Sequence, residues 1–504
     1  MCPDNSIHPW LVERVDTCIA PWTTATVDHA GGVHPCCASH REIGHLRSAS
    51  FEAIWNGDAA RQLRWFLLHG LIHPICRGIA CPYVRNTLAA GEPAELRAAV
   101  EAELDEEDYC ARYPDVAAAI ARGEFRAARE HYRCFGRDEC RMARFYLDRV
   151  TPTAAPVSTV STGEENSDAP AGHWVFRFDE GAYRAAYREA DRLIRRGIFT
   201  SGLEHFFKVG ARKTTVPWWQ CEGVSDGAWR HRSDVRALHA YASGALEVPV
   251  LPIHFAVSLT SRCNLRCVMC PHGVGMIAEP ADTPLAFADQ LRAALGSALR
   301  IELVGVGEPL LSPFFRRIVD ERTFRPEAYV RTNTNGQLLT PETRTWLLAS
   351  DLKEVSVSFD AATAATYEYI RGGDFARLVR NVAALASERR RCGRAAAPEI
   401  WINFTIMQAN AAECEAFVRA AAALDAYGVE FSLLNGYGDH SDWVVRRGDC
   451  VFRYHDNMAD RDLPTVRHHL TRALEEGGRL GLPVRLRMLA EEREKLNLHQ
   501  EGYC

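Results

Sequence analysis

The stretch Ser258-Leu-Thr-Ser-Arg-Cys-Asn-Leu-Arg-Cys-Val-Met-Cys270 constrains this chain more than any other. It sets Cys263, Cys267 and Cys270 at the spacing C-x3-C-x2-C, directly after the apolar run Ile253 to Leu259. Three thiolates this close can ligate three irons of a cubic [4Fe–4S] cluster and leave the fourth iron without a protein ligand. An open metal position of that kind accepts a small chelating molecule. The alternative is structural zinc, which needs a fourth ligand and usually paired C-x2-C units. His272 is the local candidate for that ligand.

Composition narrows the setting. The 504 residues allow about three domains at ~150 residues each. With 47% hydrophobic and 25% charged residues, the chain reads as ordinary globular protein with material for a large core. A net charge of -6 gives no global attraction to nucleic acid or an anionic membrane, and neither is expected as a partner. Met1-Cys-Pro-Asp-Asn lacks the basic-then-apolar order of a secretion signal. No run of about 18 apolar residues marks a membrane span. Seventeen cysteines therefore read as metal or cluster ligands in a reducing compartment, and the cytoplasm is the expected location.

A second cysteine constellation fills residues 1–90. It runs Cys18-Ile-Ala-Pro-Trp22, Gly31-Gly-Val-His-Pro-Cys36-Cys37, Ile43-Gly44, Ile54-Trp-Asn56, Leu63-Arg64, Cys76 and Cys81. Thr23 to Val27 predicts a strand and Gly31-Gly32 a turn into a second, so a small hairpin brings Cys18 and Cys36 together. Cys76 and Cys81 then close a four-thiolate site, either an iron–sulfur cluster or a zinc ribbon. A region with so little core takes much of its folding energy from the metal.

Residues 91–149 are rich in Ala, Glu and Arg and predict helices. They carry Tyr109-x3-Tyr113, Gly123-x-Phe125 and His131-x4-Gly136. The same frame returns 74 residues later as Tyr183-x3-Tyr187, Gly197-x-Phe199 and His205-x4-Gly210. Two copies of a helical unit are expected, the second within 173–250. Residues 150–172, full of Pro, Ser, Thr and Gly without an aromatic, predict a flexible linker between them. The histidines of the repeat read as packed side chains rather than ligands.

From 251 to 440 short apolar strands alternate with helices. Strands are expected at Ile253–Leu259, Ile301–Val304, Ala328–Thr332, Glu354–Phe359, Ile400–Ile406 and Val429–Leu433. Six βα units predict an α/β fold, a partial (β/α)6 barrel preceded by the cysteine-rich domain and the two α-helical repeats. Function in such sheets sits at the carboxyl ends of the strands. Behind successive strands stand Gly305-Val-Gly-Glu308, Thr332-Asn-Thr334-Asn335-Gly336, and Ser358-Phe-Asp360 followed by Ile370-Arg371-Gly-Gly.

These elements, in this order after C-x3-C-x2-C, resemble the radical S-adenosylmethionine (SAM) superfamily. The N-terminal constellation resembles the SPASM or twitch auxiliary-cluster domain of such enzymes, displaced to the front of the barrel. The resemblance implies an α/β barrel binding a [4Fe–4S] cluster on Cys263, Cys267 and Cys270, with SAM on its open iron. It implies a second cluster on Cys18, Cys76, Cys81 and one of Cys36 and Cys37, where the family spacing favours Cys36. Gly305, Gly307 and Glu308 would meet the SAM amino group, with Thr334, Asn335 and Asp360 in the same site. Ser358 would bond the ribose and Arg371 the carboxylate.

The implied activity is reductive cleavage of SAM to a 5'-deoxyadenosyl radical, which abstracts hydrogen from a substrate. An electron donor such as flavodoxin or ferredoxin is then a partner. The repeat resembles a small module found beside glycosyltransferases and methyltransferases, which favours a sugar or other small metabolite as substrate. A peptide or protein maturase, with the repeats as docking modules, is the alternative. A zinc-binding scaffold without catalysis is the third.

Residues 441–504 read as a C-terminal extension. Asp439 and His440 lie in the polar loop Gly436 to Trp443 and are candidates for proton transfer. Cys450 is a candidate radical-quenching thiol or, alternatively, a buried one. The chain closes on Gly502-Tyr-Cys504, where by the resemblance an auxiliary domain would usually begin. That predicts either a shortened chain or a domain moved to the front.

Overall fold

The computed structural model describes residues 18–151 apart from 80, and 244–496 apart from 327, 394–396, 435–441, 449 and 488–495. Between these lie two described strands, 174–178 and 219–223, and a few isolated positions. The chain divides into two compact units, Met1–Thr26 with Gly32–Ile253, and Val27–Gly31 with His254–Cys504.

In the first unit, β1 (Thr24–Val27), β2 (Gly32–His34) and β3 (Gly44–His45) are successive neighbours, with β2 and β3 antiparallel. Helices follow at Asp58–Leu68, Pro82–Ala90, Ala94–Ala102, Glu106–Arg112 and Pro114–Ala121. Local chemistry sets their starts: the Asp105 carboxylate accepts from the Asp108 N–H, and Pro114 opens the helix it begins. Trp65, Phe66, Leu96, Val100, Tyr109, Tyr132 and Phe145 form one buried core. His131 packs among Phe125, Phe135 and Tyr109, 3.3 Å from the Tyr109 hydroxyl. The repeated frame at 183–210 and the linker at 152–172 lie outside the described residues, apart from β4 (Trp174–Phe178), its antiparallel partner β5 (Trp219–Gly223) and isolated positions.

The Trp-Asn…Arg motif works as a staple. Arg64 is fully buried and donates to the carbonyls of Pro21, Trp55 and Leu246 and to the Asn56 side chain, all within 3.0 Å. Burial pushes its pKa down to about 9. Asn56 bonds both N–H and C=O of Val248, the Trp55 indole reaches the Val250 carbonyl, and the Trp22 indole reaches that of Ala245.

The second unit is built on parallel strands: β6 (His254–Ser258), β7 (Arg300–Val304), β8 (Tyr329–Thr334), β9 (Glu354–Ser358), β10 (Glu399–Ile406) and β11 (Gly428–Leu433) pair in chain order. All six expected strands are present. An antiparallel hairpin follows, β12 (Val444–Arg447) with β13 (Cys450–Arg453), and then β14 (Val484–Leu486), which pairs parallel with β11. So the stretch read as an extension supplies a seventh parallel strand, preceded by the helix Leu463–Leu480. Ser312, Thr340, Thr363 and Asp374 each cap a helix by accepting an N–H three residues on.

One side of this sheet is not apolar. Glu302, Arg331 and Glu354 occupy matched registers on β7, β8 and β9, and Glu430 matches Arg485 on β11 and β14. Arg331 is 2% exposed and lies 3.3 Å from Glu354 and 3.4 Å from Glu430. Arg485 reaches the same two carboxylates at 2.6 Å each. Buried charges are tolerated only when paired in this way.

Candidate functional site

The carboxyl ends of β6 to β9 bring the sequence motifs together. Behind β6 the chain turns through Cys263, Cys267 and Cys270. Burial raises the pKa of Cys263, and that of Cys270 goes to about 11 through burial and then the nearby Cys267. Arg371 Nη1 stands 3.7 Å from the Cys267 sulfur and Asn335 Nδ2 3.9 Å from the Cys263 sulfur. Thiols gathered this way ionise only when a positive group compensates them. Iron bound at the loop would supply it, so the donor set fits a cluster.

The loop behind β7 is bonded to the cysteine loop backbone to backbone: Gly307 N–H to Thr260 C=O at 3.0 Å, Glu308 N–H to Arg262 C=O at 2.7 Å. A Cβ on Gly307 would lie 2.4 Å from the Arg262 oxygen, and Gly305 sits at φ 148° with room for none. These glycines therefore let two loops touch. Glu308, 2% exposed, is also committed within the protein, accepting from the Thr334 hydroxyl at 2.7 Å and the Asn335 N–H at 2.8 Å. Burial still raises its pKa.

Ser358 ends β9 half-buried, two residues before Asp360. Asp360 is fully buried at φ 59°, takes the Thr405 N–H at 2.7 Å and grips Arg371 through Nε at 2.6 Å and Nη2 at 2.5 Å. Burial disfavours the Arg371 charge, but Asp360 and Cys267 outweigh it and its pKa ends raised. Asp360 thus reaches the site through Arg371.

Sequence reasoning missed Arg447. It lies on β12, and its Nη1 donates to the Tyr369 and Glu368 carbonyls at 2.6 and 3.0 Å, the last turn of the helix that ends at Arg371. Its Nη2 donates to the Arg266 carbonyl, next to Cys267. A Cβ on Gly372 would come within 2.8 Å of that guanidinium, so the glycine after Arg371 makes room for it. Nothing in the sequence marks this arginine, since its partners are backbone atoms. Of the other candidates, Asp439 and His440 lie outside the described residues, and Cys450 is exposed at the start of β13, not buried. The His272 Nδ1 is taken by Arg266 Nη1 at 3.0 Å.

In the first unit, burial and then Cys81 and Cys36 push the Cys18 pKa up, and burial and then Cys18, Cys36 and Cys81 do the same for Cys76. Cys36 goes to about 12, through burial and then Cys37. Cys37 is exposed, yet it too raises the pKa of Cys18 and of Cys36. All five thiols are free of disulfides. Among the described residues no three His, Cys, Asp or Glu side chains converge closely enough to hold one metal ion.

Residues 257–396 match the radical SAM superfamily, and residues 18–82 match the SPASM iron–sulfur cluster-binding domain. Among curated proteins, the chain is similar to the mycofactocin maturase MftC of Mycobacterium tuberculosis, 32% identical over 34% of this chain and 42% of that one. It is similar to the AdoMet-dependent heme synthase of Methanosarcina barkeri, 33% identical over 38% and 54%. To the GTP 3',8-cyclase of Synechococcus it is 30% identical over 41% and 65%. The chain spans less than two thirds of each of these relatives. Streptococcus suis SuiB bound to precursor peptide SuiA superposes with a TM-score of 0.37 at 13% identity, over 60% of this chain and 62% of that one. The first matched domain implies a [4Fe–4S] cluster and SAM, the second auxiliary iron–sulfur binding. The chain thus carries a match to the radical SAM superfamily at 257–396 and, ahead of it in sequence, a match to the SPASM iron–sulfur cluster-binding domain at 18–82.

Proposed function

We propose that the protein is a radical SAM enzyme that cleaves SAM reductively and abstracts hydrogen from an organic substrate. The observation that carries this reading is the convergence of Cys263, Cys267 and Cys270 with Arg371 and Asp360 behind β6 and β9. When bound, the cluster and SAM supply a 5'-deoxyadenosyl radical. The protein's own work is holding and orienting. Three thiolates hold the irons, and Arg371, its plane fixed by Asp360 and one edge turned to Cys267, receives the SAM carboxylate. Gly305 and Gly307 offer backbone to the amino group, Ser358 meets the ribose, and Glu308 braces Thr334 and Asn335 behind them.

Cys18, Cys36, Cys76 and Cys81 hold the auxiliary cluster in this reading, with Cys36 preferred to Cys37 because Cys36 is half-buried and Cys37 exposed. A peptide substrate is supported by the mycofactocin maturase among the relatives. A small metabolite, sugars included, is the second reading, supported by the GTP cyclase. A ferredoxin or flavodoxin supplies the electron, and the helical repeats dock a partner or substrate.

The test is anaerobic reconstitution, then incubation with SAM and dithionite and assay for 5'-deoxyadenosine. Product supports the reading; a preparation that takes up zinc and no iron sinks it in favour of the scaffold. Cys76→Ala is expected to keep SAM cleavage uncoupled from substrate while losing about four irons and all modified product. Arg447→Ala is expected to raise the KM for SAM about tenfold, from lost charge-assisted hydrogen bonds, with the iron count unchanged.

A further inference from the structure

Between the loop Ile72 to Arg77, which leads through Cys76, and the helical region at 94–137 lies a set of buried donors without acceptors. Arg77 and Arg97 converge on one carboxylate, Glu92, which also takes the Ile72 N–H at 2.6 Å. Arg97 donates Nη2 to the Ile72 carbonyl at 3.1 Å and lies over the Phe66 ring at 5.6 Å. His73 meets that ring edge-on at 4.9 Å. Tyr132 belongs to the same group, its hydroxyl lying in the field of Arg97 and Arg77. Arg137, linked to Glu101 at 3.3 Å, stands 31% exposed at the rim.

Five polar atoms here are buried and without a hydrogen-bond partner: Arg77 Nε, Arg97 Nε and Nη1, the Tyr132 hydroxyl and His73 Nε2. His73 Nδ1 accepts the Ile75 N–H at 3.2 Å, so Nε2 carries the ring proton. Burial holds the His73 pKa down to about 3, so the ring is neutral. The three guanidinium nitrogens and His73 Nε2 can only donate, and the hydroxyl is free to donate. Tyr132 is 0%, His73 1% and Arg97 5% exposed.

Leaving such donors buried and unpaired forfeits their solvation with nothing in return, which asks for an explanation of the site. Water brings as many donors as acceptors and would leave most of its own hydrogens unmatched among four donor-only nitrogens and one hydroxyl. An oxyanion brings acceptors alone. Three guanidinium groups here face Glu92, Glu101 and Asp138, so the carboxylates match the charges but leave the inner N–H groups without an acceptor.

We propose that Arg77, Arg97, His73 and Tyr132 form a buried site for a small oxyanion of the phosphate, sulfate or carboxylate class, with Arg137 at its rim. The site is independent of the reading of the cysteines. Its occupant braces the loop that carries Cys76.

The full-length protein, held in chloride at constant ionic strength, is titrated by calorimetry with inorganic phosphate, sulfate and acetate in turn, and its thermal midpoint is followed. A saturable heat of one anion per chain is expected, with a midpoint rise of roughly 2–4 °C at ten times the Kd. Phosphate and sulfate stabilise many proteins by exclusion, so the stoichiometric heat decides. Saturable binding of acetate alone would assign the site to a carboxylate. Tyr132→Phe removes a hydroxyl that has no partner in the chain, so it folds as the parent does in chloride, yet its anion affinity falls about fivefold. Arg97→Met abolishes the heat. No saturable heat with any of the three anions overturns the proposal, and so does an affinity unchanged in Tyr132→Phe, which would place binding elsewhere.

Discussion

Cys263→Ala is expected to abolish 5'-deoxyadenosine formation from SAM. Extending the change to Cys267 and Cys270 should lower reconstituted iron from about eight per chain to about four. The expectation follows from the loop's construction. Cys263 is the first of the three thiols, with its sulfur met by the Leu265 N–H at 3.4 Å and by Asn335. Removing it leaves two thiols, too few to hold three irons against exchange. The neighbouring backbone bonds from Gly307 and Glu308 are untouched, so the fold survives and the loss is one of chemistry. Iron and sulfide analysis with product assay checks both halves. Cleavage at the parent rate in the single variant would remove the assignment of this loop.

The second large effect concerns stability. Arg331→Met is expected to destabilise the second unit by about 3–5 kcal/mol, because it strips the central cation from buried Glu354 and Glu430. Adding Glu354→Gln should recover part of that loss, which urea midpoints of the single and double variants would reveal. The same cluster gives a pH dependence. Burial raises the Glu354 pKa, but Arg331 and Arg485 outweigh it and hold the carboxyl at about 2. A carboxyl depressed in the folded state stabilises fully above its unfolded pKa near 4.3 and loses that contribution as pH falls toward 2. Unfolding at pH 7 and pH 3 should therefore differ by about 2 kcal/mol in the parent from this group, and by less in Glu354→Gln.

Much of this was legible in the residues. The six longer strands announce themselves because apolar runs broken by helix caps and prolines repeat at regular spacing. The cysteine spacings survive because ligands on one loop must be close in sequence. β14 escaped notice since three residues, Val-Arg-Leu, carry no periodicity. The short helix Ala364–Arg371 was read only as a motif, although Thr363 caps it. The belt of Glu302, Arg331 and Glu354 was invisible because strand register is a property of the fold. Glu308 and Asp360 looked like ligand contacts. Their partners within the protein, Thr334 and Asn335 for one and Arg371 and Thr405 for the other, could be seen only in the fold.

The stapling by Arg64, Asn56, Trp55 and Trp22 has a consequence for how the protein can change. Val150 is part of the same buried core against which Leu246 packs, and Ala245 to Val250 are pinned by those four side chains. The two ends of the intervening stretch are therefore fastened to one body. Lengthening a loop whose ends are already fixed costs only about 0.6 kcal/mol per doubling. A change of length between Val150 and Ala245 is therefore expected to leave the cysteine domain standing, because both ends stay fastened to it.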